Sequence, residues 1–235
     1  MGDILLPSLS TGFSLIFQGD AELYSIVLLS LRCTALACLG AISLGLPLAF
    51  MLVNYSFPGK RGVILLLNTL QALPTVVVGL FLYVFISRRG IFGPLDLLYS
   101  WKAISIGQFI LILPLVTMFV LAALSRLDGR YRQTALTLGA NEWQAALTVM
   151  REARFAIVAA LCAAFGRGIA EVGVSMMLGG NIKGFTRTMT TAMALEYDKG
   201  EFTLALALGV VLLLVSFFLN VALAFFQGRE EAEPR

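Results

Sequence analysis

The sequence predicts an all-α membrane protein with about five transmembrane helices, and three observations carry that prediction. First, 59% of the 235 residues are hydrophobic and only 13% are charged, where a soluble domain carries about 25% charged residues. The mean hydropathy of +0.89 belongs to a chain that dissolves in lipid. Second, five apolar runs reach the roughly 20 residues that cross a hydrocarbon core. They are Leu23 to Val53, Val63 to Ile86, Ala103 to Leu124, Phe155 to Leu178 and Phe202 to Phe226. Third, the amphipathic aromatics mark the ends of these runs, as an interfacial belt would. Tyr24, Tyr55, Tyr99, Trp101, Tyr131, Trp143 and Tyr197 lie at or beyond run ends, and only Tyr83 lies within one.

The elements follow in order. Residues 1–22 are too broken to span: Leu5, Leu6, Leu15, Ile16 and Phe17 are interrupted by Pro7, Ser8, Ser10 and Thr11. They read as an interfacial segment. No basic n-region precedes a short apolar run, so no removable signal peptide is expected. The first run is long for one crossing, which predicts a tilt or a bend near Gly45-Leu46-Pro47. Arg32, near its outer end, can snorkel to the interface. Pro74 and Pro114 fall inside the second and third runs. Each removes a backbone hydrogen bond there, which predicts kinks unless neighbours re-satisfy the backbone. Residues 23–226 then form one membrane domain, and residues 227–235 a solvated tail. No regulatory domain is expected after Phe226.

Orientation comes from the basic residues. Arg126, Arg130, Arg132, Arg151 and Arg154 crowd the loop at about 125–154, and Lys60 and Arg61 lie in the loop at 54–62. The positive-inside rule makes these cytoplasmic, with the N-terminus outside and the C-terminus inside. The net charge of +3 is small and diffuse, so nucleic acid is not a partner.

Several chemistries are excluded. There is no histidine, so no His triad, His metal site or His proton relay. Cys33, Cys38 and Cys162 lie within the runs, lack a metal-ligand spacing and read as small core hydrophobes. No G-x-x-x-x-G-K-[ST] pattern occurs, so ATP is not hydrolysed by that route on this chain. No catalytic set and no metal site are expected.

The loop at 125–154 is the one long polar segment between spans. Gln133 to Leu138 can form helical turns, Gly139 suits a left-handed C-terminal cap, and Asn141 with Gln144 forms a capping box. A second helix would carry Trp143, Ala146, Leu147 and Met150 as a stripe, with small and hydroxyl residues outward. Such a helix can dock into a groove of another protein, or pack only on its own membrane domain.

Three stretches resemble a known family. Gln133-Thr134-Ala135-x-x-x-Gly139-Ala140 looks like the E-A-A-x-x-x-G-A loop of permease subunits of bacterial ABC importers, with Gln for Glu and Thr for Ala. Leu73-Pro74-Thr75-Val76-Val77-Val78-Gly79-Leu80 is similar to the LPPVVVGL segment of molybdate and sulfate permeases. Gly166-Arg167-Gly168-Ile169-Ala170-Glu171-Val172-Gly173, with Gly179 to Arg187, resembles the tungstate branch of these oxyanion permeases. The resemblance spans about Leu23 to Phe226.

It implies a type I ABC importer permease fold in the bacterial inner membrane and a transport subunit rather than an enzyme. Its partners would be a second copy of itself, an ABC ATPase subunit that binds the ATP and Mg, a periplasmic or lipoprotein oxyanion-binding protein, and lipid. Cofactors on this chain are none. Gln133, Thr134, Ala135, Gly139, Ala140, Asn141 and Trp143 would contact the ATPase. Tungstate is the expected cargo, with molybdate or sulfate as alternatives, and a stand-alone oligomeric anion channel as the rival of another class.

Two further groups are candidates. Arg167 and Glu171 lie one helical turn apart within a span. A charge near the bilayer centre costs about 2.5–3.5 kcal/mol, so the pair faces the bundle interior or water. With Pro74 and Thr75 it would line or gate the path; alternatively it fixes helix packing beside Gly166, Gly168 and Gly173. Asn181, Lys183 and Arg187 lie in a donor-rich outer segment that could meet an oxyanion or dock the binding protein.

Overall fold

A computed structural model describes residues 11, 12 and 14–232, with side chains through residue 225. Regular structure in the described residues is helical. Of the interfacial segment, residues 1–10 and 13 lie outside the described residues; Leu15 and Ile16 pack on a buried cluster, while Phe17 is exposed. Asp20 starts helix α1, Ala21–Asn54, by accepting from the Leu23 amide at 2.8 Å. With 34 residues, α1 is about 51 Å long at ~1.5 Å per residue. It therefore overruns the hydrocarbon core, and it runs as one continuous helix through Pro47.

The second apolar run is two helices, α2 at Lys60–Gln71 and α3 at Thr75–Ile86, set at 101°. Sequence predicts a kinked crossing here; the structure has a full break. Pro74 lacks an N–H and forces Leu73 out of helical geometry, so α2 stops at Gln71 and a new helix starts after the proline. By contrast α4, Trp101–Ser125, continues through Pro114, which is buried. Packing against neighbouring helices holds α4 together there.

The polar loop forms α5, Arg130–Thr137, and α6, Glu142–Glu152. The fourth run is again a bent pair, α7 at Arg154–Ile169 and α8 at Gly173–Gly179, at 57°. Helix α9, Met189–Lys199, precedes α10, Phe202–Ala232. The backbone of α10 stays helical through Ala232, past the expected end at Phe226, and residues 233–235 lie outside the described residues. Among described residues, α1, α4 and α10 are each long and apolar enough to cross alone; counting each bent pair as one span gives five.

The main seam joins α1 to α4. Ala37, Ala41, Gly45 and Ala49 recur every fourth residue on α1, and Ile112, Val116, Val120 and Leu124 do so on α4. Small residues on one helix admit the branched ridge of the other, the packing that suits lipid surroundings. A Cβ at Gly45 would sit 3.0 Å from Thr117 Oγ1. Cys33 and Cys38 are buried beside this seam. Helix α7 closes the cluster with Ile157, Ala160 and Ala164, and α6 adds Val149.

Candidate functional site

The α5–α6 turn is specified residue by residue. Gly139 has φ of +88°. The Ala140 amide donates to Ala135 O at 3.0 Å and the Gly139 amide to Leu136 O at 3.1 Å, the paired bonds of a Schellman motif. Two residues on, Asn141 Oδ1 accepts from the Gln144 amide at 2.8 Å, and Gln144 Oε1 accepts from the Asn141 amide at 2.9 Å. Arg132 and Glu142 bridge the two helices at 2.6 Å. Both ends of the turn are therefore capped, and the turn is a fixed shape.

The face it presents differs from the expected one. Ala145, Ala146 and Val149 are the buried residues of α6, because alanines let the helix lie close to the core cluster. Trp143 is 71% exposed and Leu138 is 83% exposed. Large apolar groups, not small ones, point outward, while Ala146 of the anticipated stripe faces in. Gln133, Thr134, Gly139 and Asn141 are exposed as well, with Ala135 and Ala140 partly so.

The second site lies where the two bent pairs meet. A Cβ at Gly173, the first residue of α8, would come 2.6 Å from Thr75 Oγ1 and 2.9 Å from the Val76 amide. The N-termini of α3 and α8 thus touch through a glycine. Beside them opens a narrow cleft whose lining includes Gln71, Thr75, Gln108, Arg167 and Glu171. Three of the four residues assigned to the path from sequence share this cleft. The fourth, Pro74, caps α3 just outside it: its carbonyl accepts from the Val77 and Val78 amides.

Within the cleft, Arg167 Nη1 donates to Glu171 Oε2 at 2.8 Å. The two ends of this pair have different surroundings, since the Arg167 side chain is 51% exposed and that of Glu171 is 4% exposed. Glu171 sits in the break itself. Its Oε1 accepts from the Val174 amide at 3.3 Å, and its carbonyl accepts from Thr190 Oγ1 at 2.8 Å. A buried carboxylate so partnered fixes the bend between α7 and α8.

Sequence reasoning missed Gln108. It is buried in the middle of α4, donating to Gly168 O at 3.3 Å while accepting from Thr34 Oγ1 at 3.2 Å. It ties α1, α4 and α7 at the level of the break. The available signal was its standing as the one long amide in the run Ala103 to Leu124.

The outer segment is more self-contained than expected. Asn181 takes φ of +51° and donates from Nδ2 to Thr191 O at 3.0 Å. Arg187 is buried, 3.6 Å from Glu22 and 3.7 Å from Glu196. Lys183 pairs with Glu22 at 2.7 Å but stays mostly exposed. Glu22 and Glu196, also missed from sequence, absorb much of the positive charge. Among the described residues no cluster of His, Cys, Asp or Glu could hold a metal.

Comparison with known proteins gives a consistent set. Residues 41–231 match the family model described as binding-protein-dependent transport system inner membrane component. The chain is 38% identical over 218 residues to the tungstate uptake system permease protein TupB of Campylobacter jejuni, covering 93% of this chain and 91% of that protein. It is 33% identical to TupB of Peptoclostridium acidaminophilum, with 91% and 93% covered. It is 32% identical to the molybdenum transport system permease protein ModB of Escherichia coli, with 82% and 91% covered. Among solved structures, an inward-facing form of the MetNI methionine ABC transporter is similar in fold, with a TM-score of 0.69 at 17% identity, covering 91% of this chain and 97% of that one.

Proposed function

The chain belongs to the family of binding-protein-dependent transport system inner membrane components, as a permease subunit of the oxyanion importers, and from that premise we propose that it imports tungstate and is driven by a separate ATPase through the α5–α6 turn. The observation that carries the coupling is the capped turn with Leu138 and Trp143 facing outward. Apolar side chains of that size on a polar loop want a groove, and a shape fixed by two caps can transmit a push. The basic residues around the turn support a cytoplasmic placement, with Lys183 on the opposite side for a binding protein.

The push has a direct route. Helix α6 ends at Glu152 and α7 begins at Arg154. At the far end of α7 lie Arg167 and the break at Glu171. Displacement of the turn along α7 changes the angle between α7 and α8, and with it the width of the cleft at Thr75, Gln108 and Arg167. A second copy of the chain would complete the path on the cleft's open side. Arg167, half exposed there, offers a cation to a passing oxyanion, and its pairing with Glu171 keeps that attraction weak enough for release.

The tungstate assignment follows the TupB relatives, and the ModB relative makes molybdate the second reading. The test is ATPase activity of the complex reconstituted with its ATPase and binding protein, the latter loaded in turn with tungstate, molybdate or sulfate. Stimulation by tungstate above the other two is expected. Equal stimulation by all three removes the cargo assignment and keeps the importer, while failure to associate with any ATPase overturns the coupling.

A further inference from the structure

A groove of about 550 Å³ opens beside the outer cluster, between α1 and residues 184–187; its lining includes Ser25, Leu28, Leu29, Arg32, Phe185 and Arg187. We propose that this groove holds the headgroup phosphate of an anionic phospholipid. The inference is independent of the cargo and of the coupling.

Charge is the first argument. The lining holds two guanidiniums, Arg32 and Arg187, and no carboxylate, and of the two only Arg187 is paired, with Glu22 and Glu196. Among the described residues, Arg32 meets no carboxylate; its guanidinium lies 4.1 Å above the Trp101 ring. Positive charge therefore remains uncompensated at the groove. Arg187 adds a second sign of the same need: it is 8% exposed, and its Nε is buried with no hydrogen-bond partner. Its ion pairs to Glu22 and Glu196, at 3.6 and 3.7 Å, are longer than charge-assisted hydrogen bonds, so Arg187, which lines the groove, keeps capacity for an anionic oxygen.

Position is the second argument. Arg32 lies on one stripe of α1 with Leu28, Leu36 and Leu39, at offsets of minus four, plus four and plus seven. All three leucines are exposed, so the stripe faces hydrocarbon when the chain is in a bilayer. A lone arginine on such a stripe is tolerated where it reaches the interface. The Trp101 indole under it marks that depth, since indoles gather at the headgroup level.

The lining decides between occupants. A free tetrahedral oxyanion would use the two guanidiniums and make no use of the apolar half of the lining, Leu28, Leu29 and Phe185. A phospholipid uses both halves: its phosphate meets Arg32 and Arg187, and its chains lie along Leu28, Leu29 and the stripe below. On the proposed orientation the lipid belongs to the extracytoplasmic leaflet.

The experiment is native mass spectrometry of the intact transporter complex, exchanged into mixed micelles of phosphatidylglycerol and phosphatidylcholine. Wild type should retain phosphatidylglycerol in preference. Arg32→Gln should lower that retention about five- to tenfold, the effect of one interfacial arginine, and Arg32→Lys should keep most of it. Arg32 is exposed, so its replacement should leave assembly with the ATPase intact, whereas a change at Arg187 would also open the ion-pair cluster. Equal retention of the two lipids by wild type, or undiminished phosphatidylglycerol in Arg32→Gln, overturns the proposal. Displacement of the lipid by millimolar tungstate or inorganic phosphate, with Arg32-dependent binding of that ion, assigns the groove to a soluble oxyanion and also overturns it.

Discussion

At Gly139 the constraint is backbone, not space. Its φ is +88°, and a Cβ added there would meet nothing within 4 Å beyond its chain neighbours. A left-handed conformation costs an L-residue roughly 1–2 kcal/mol, most for a β-branched one and least for Asn. Gly139→Val should abolish coupled uptake into proteoliposomes while the protein still inserts, and Gly139→Asn should retain much of it. Normal uptake by the valine variant would remove the docking role. The Arg167–Glu171 pair yields a second contrast. Glu171→Gln weakens the buried end and should cost about 1–3 kcal/mol of stability. Arg167→Gln leaves the buried Glu171 carboxylate without its cation, so it should cost at least as much. Arg167→Lys, which keeps the charge at the half-exposed end, separates path from packing: it should hold the melting temperature near wild type while uptake falls. Unchanged uptake in Arg167→Gln would make the pair a packing device. The turn was legible from sequence because Gly139, Asn141 and Gln144 act on backbone groups within a few residues of themselves. Gln108 was not, because its partners Thr34 and Gly168 are brought to it only by the packing of three helices.

At the scale of elements, the close approach of α3 and α8 depends on Gly173. A Cβ there would meet the Val76 backbone amide at 2.9 Å, and backbone cannot rotate away. Gly173→Ala should push the two N-termini apart, widen the cleft and raise basal ATPase activity of the complex while weakening its response to the loaded binding protein. Basal and stimulated rates equal to wild type would show that the contact does not govern the cleft. The broken spans themselves mark a limit of hydropathy. A window over Val63 to Ile86 or Phe155 to Leu178 registers composition and is blind to direction, so each read as one crossing. Pro74 announced a disturbance but not a turn of 101°. The break at 170–172 had a quieter signal, a carboxylate one residue before a valine-glycine step. Pro47 and Pro114 make no break: the mutual packing of α1 and α4 keeps each helix continuous through its proline. On α6, the periodicity was right and the face was rotated, because alanines rather than Trp143 and Leu147 seek the core.

At the scale of the molecule, the proposed orientation has a clean readout. Cys33 and Cys38 are buried, and Cys162 lies within a span, so background labelling by a membrane-impermeant maleimide should be low. Lys183→Cys should label in intact cells and Leu138→Cys only in inverted vesicles; the opposite pattern would invert the topology. The two breaks carry an electrical consequence beyond their role as hinges. Non-helical backbone at membrane depth persists only against protein or water, and the proposed path puts water in the cleft beside residues 72–74 and 170–172 during transport. Water of high dielectric carries the membrane field inward with it. The potential then drops over the thin packed layer that seals the cleft, rather than over the full hydrocarbon thickness. A divalent oxyanion entering an inside-negative cell climbs about 4.6 kcal/mol per 100 mV, and on the proposed path the climb is concentrated on that one layer. On the proposed coupling, its opening is the moment at which the free energy of ATP hydrolysis must arrive.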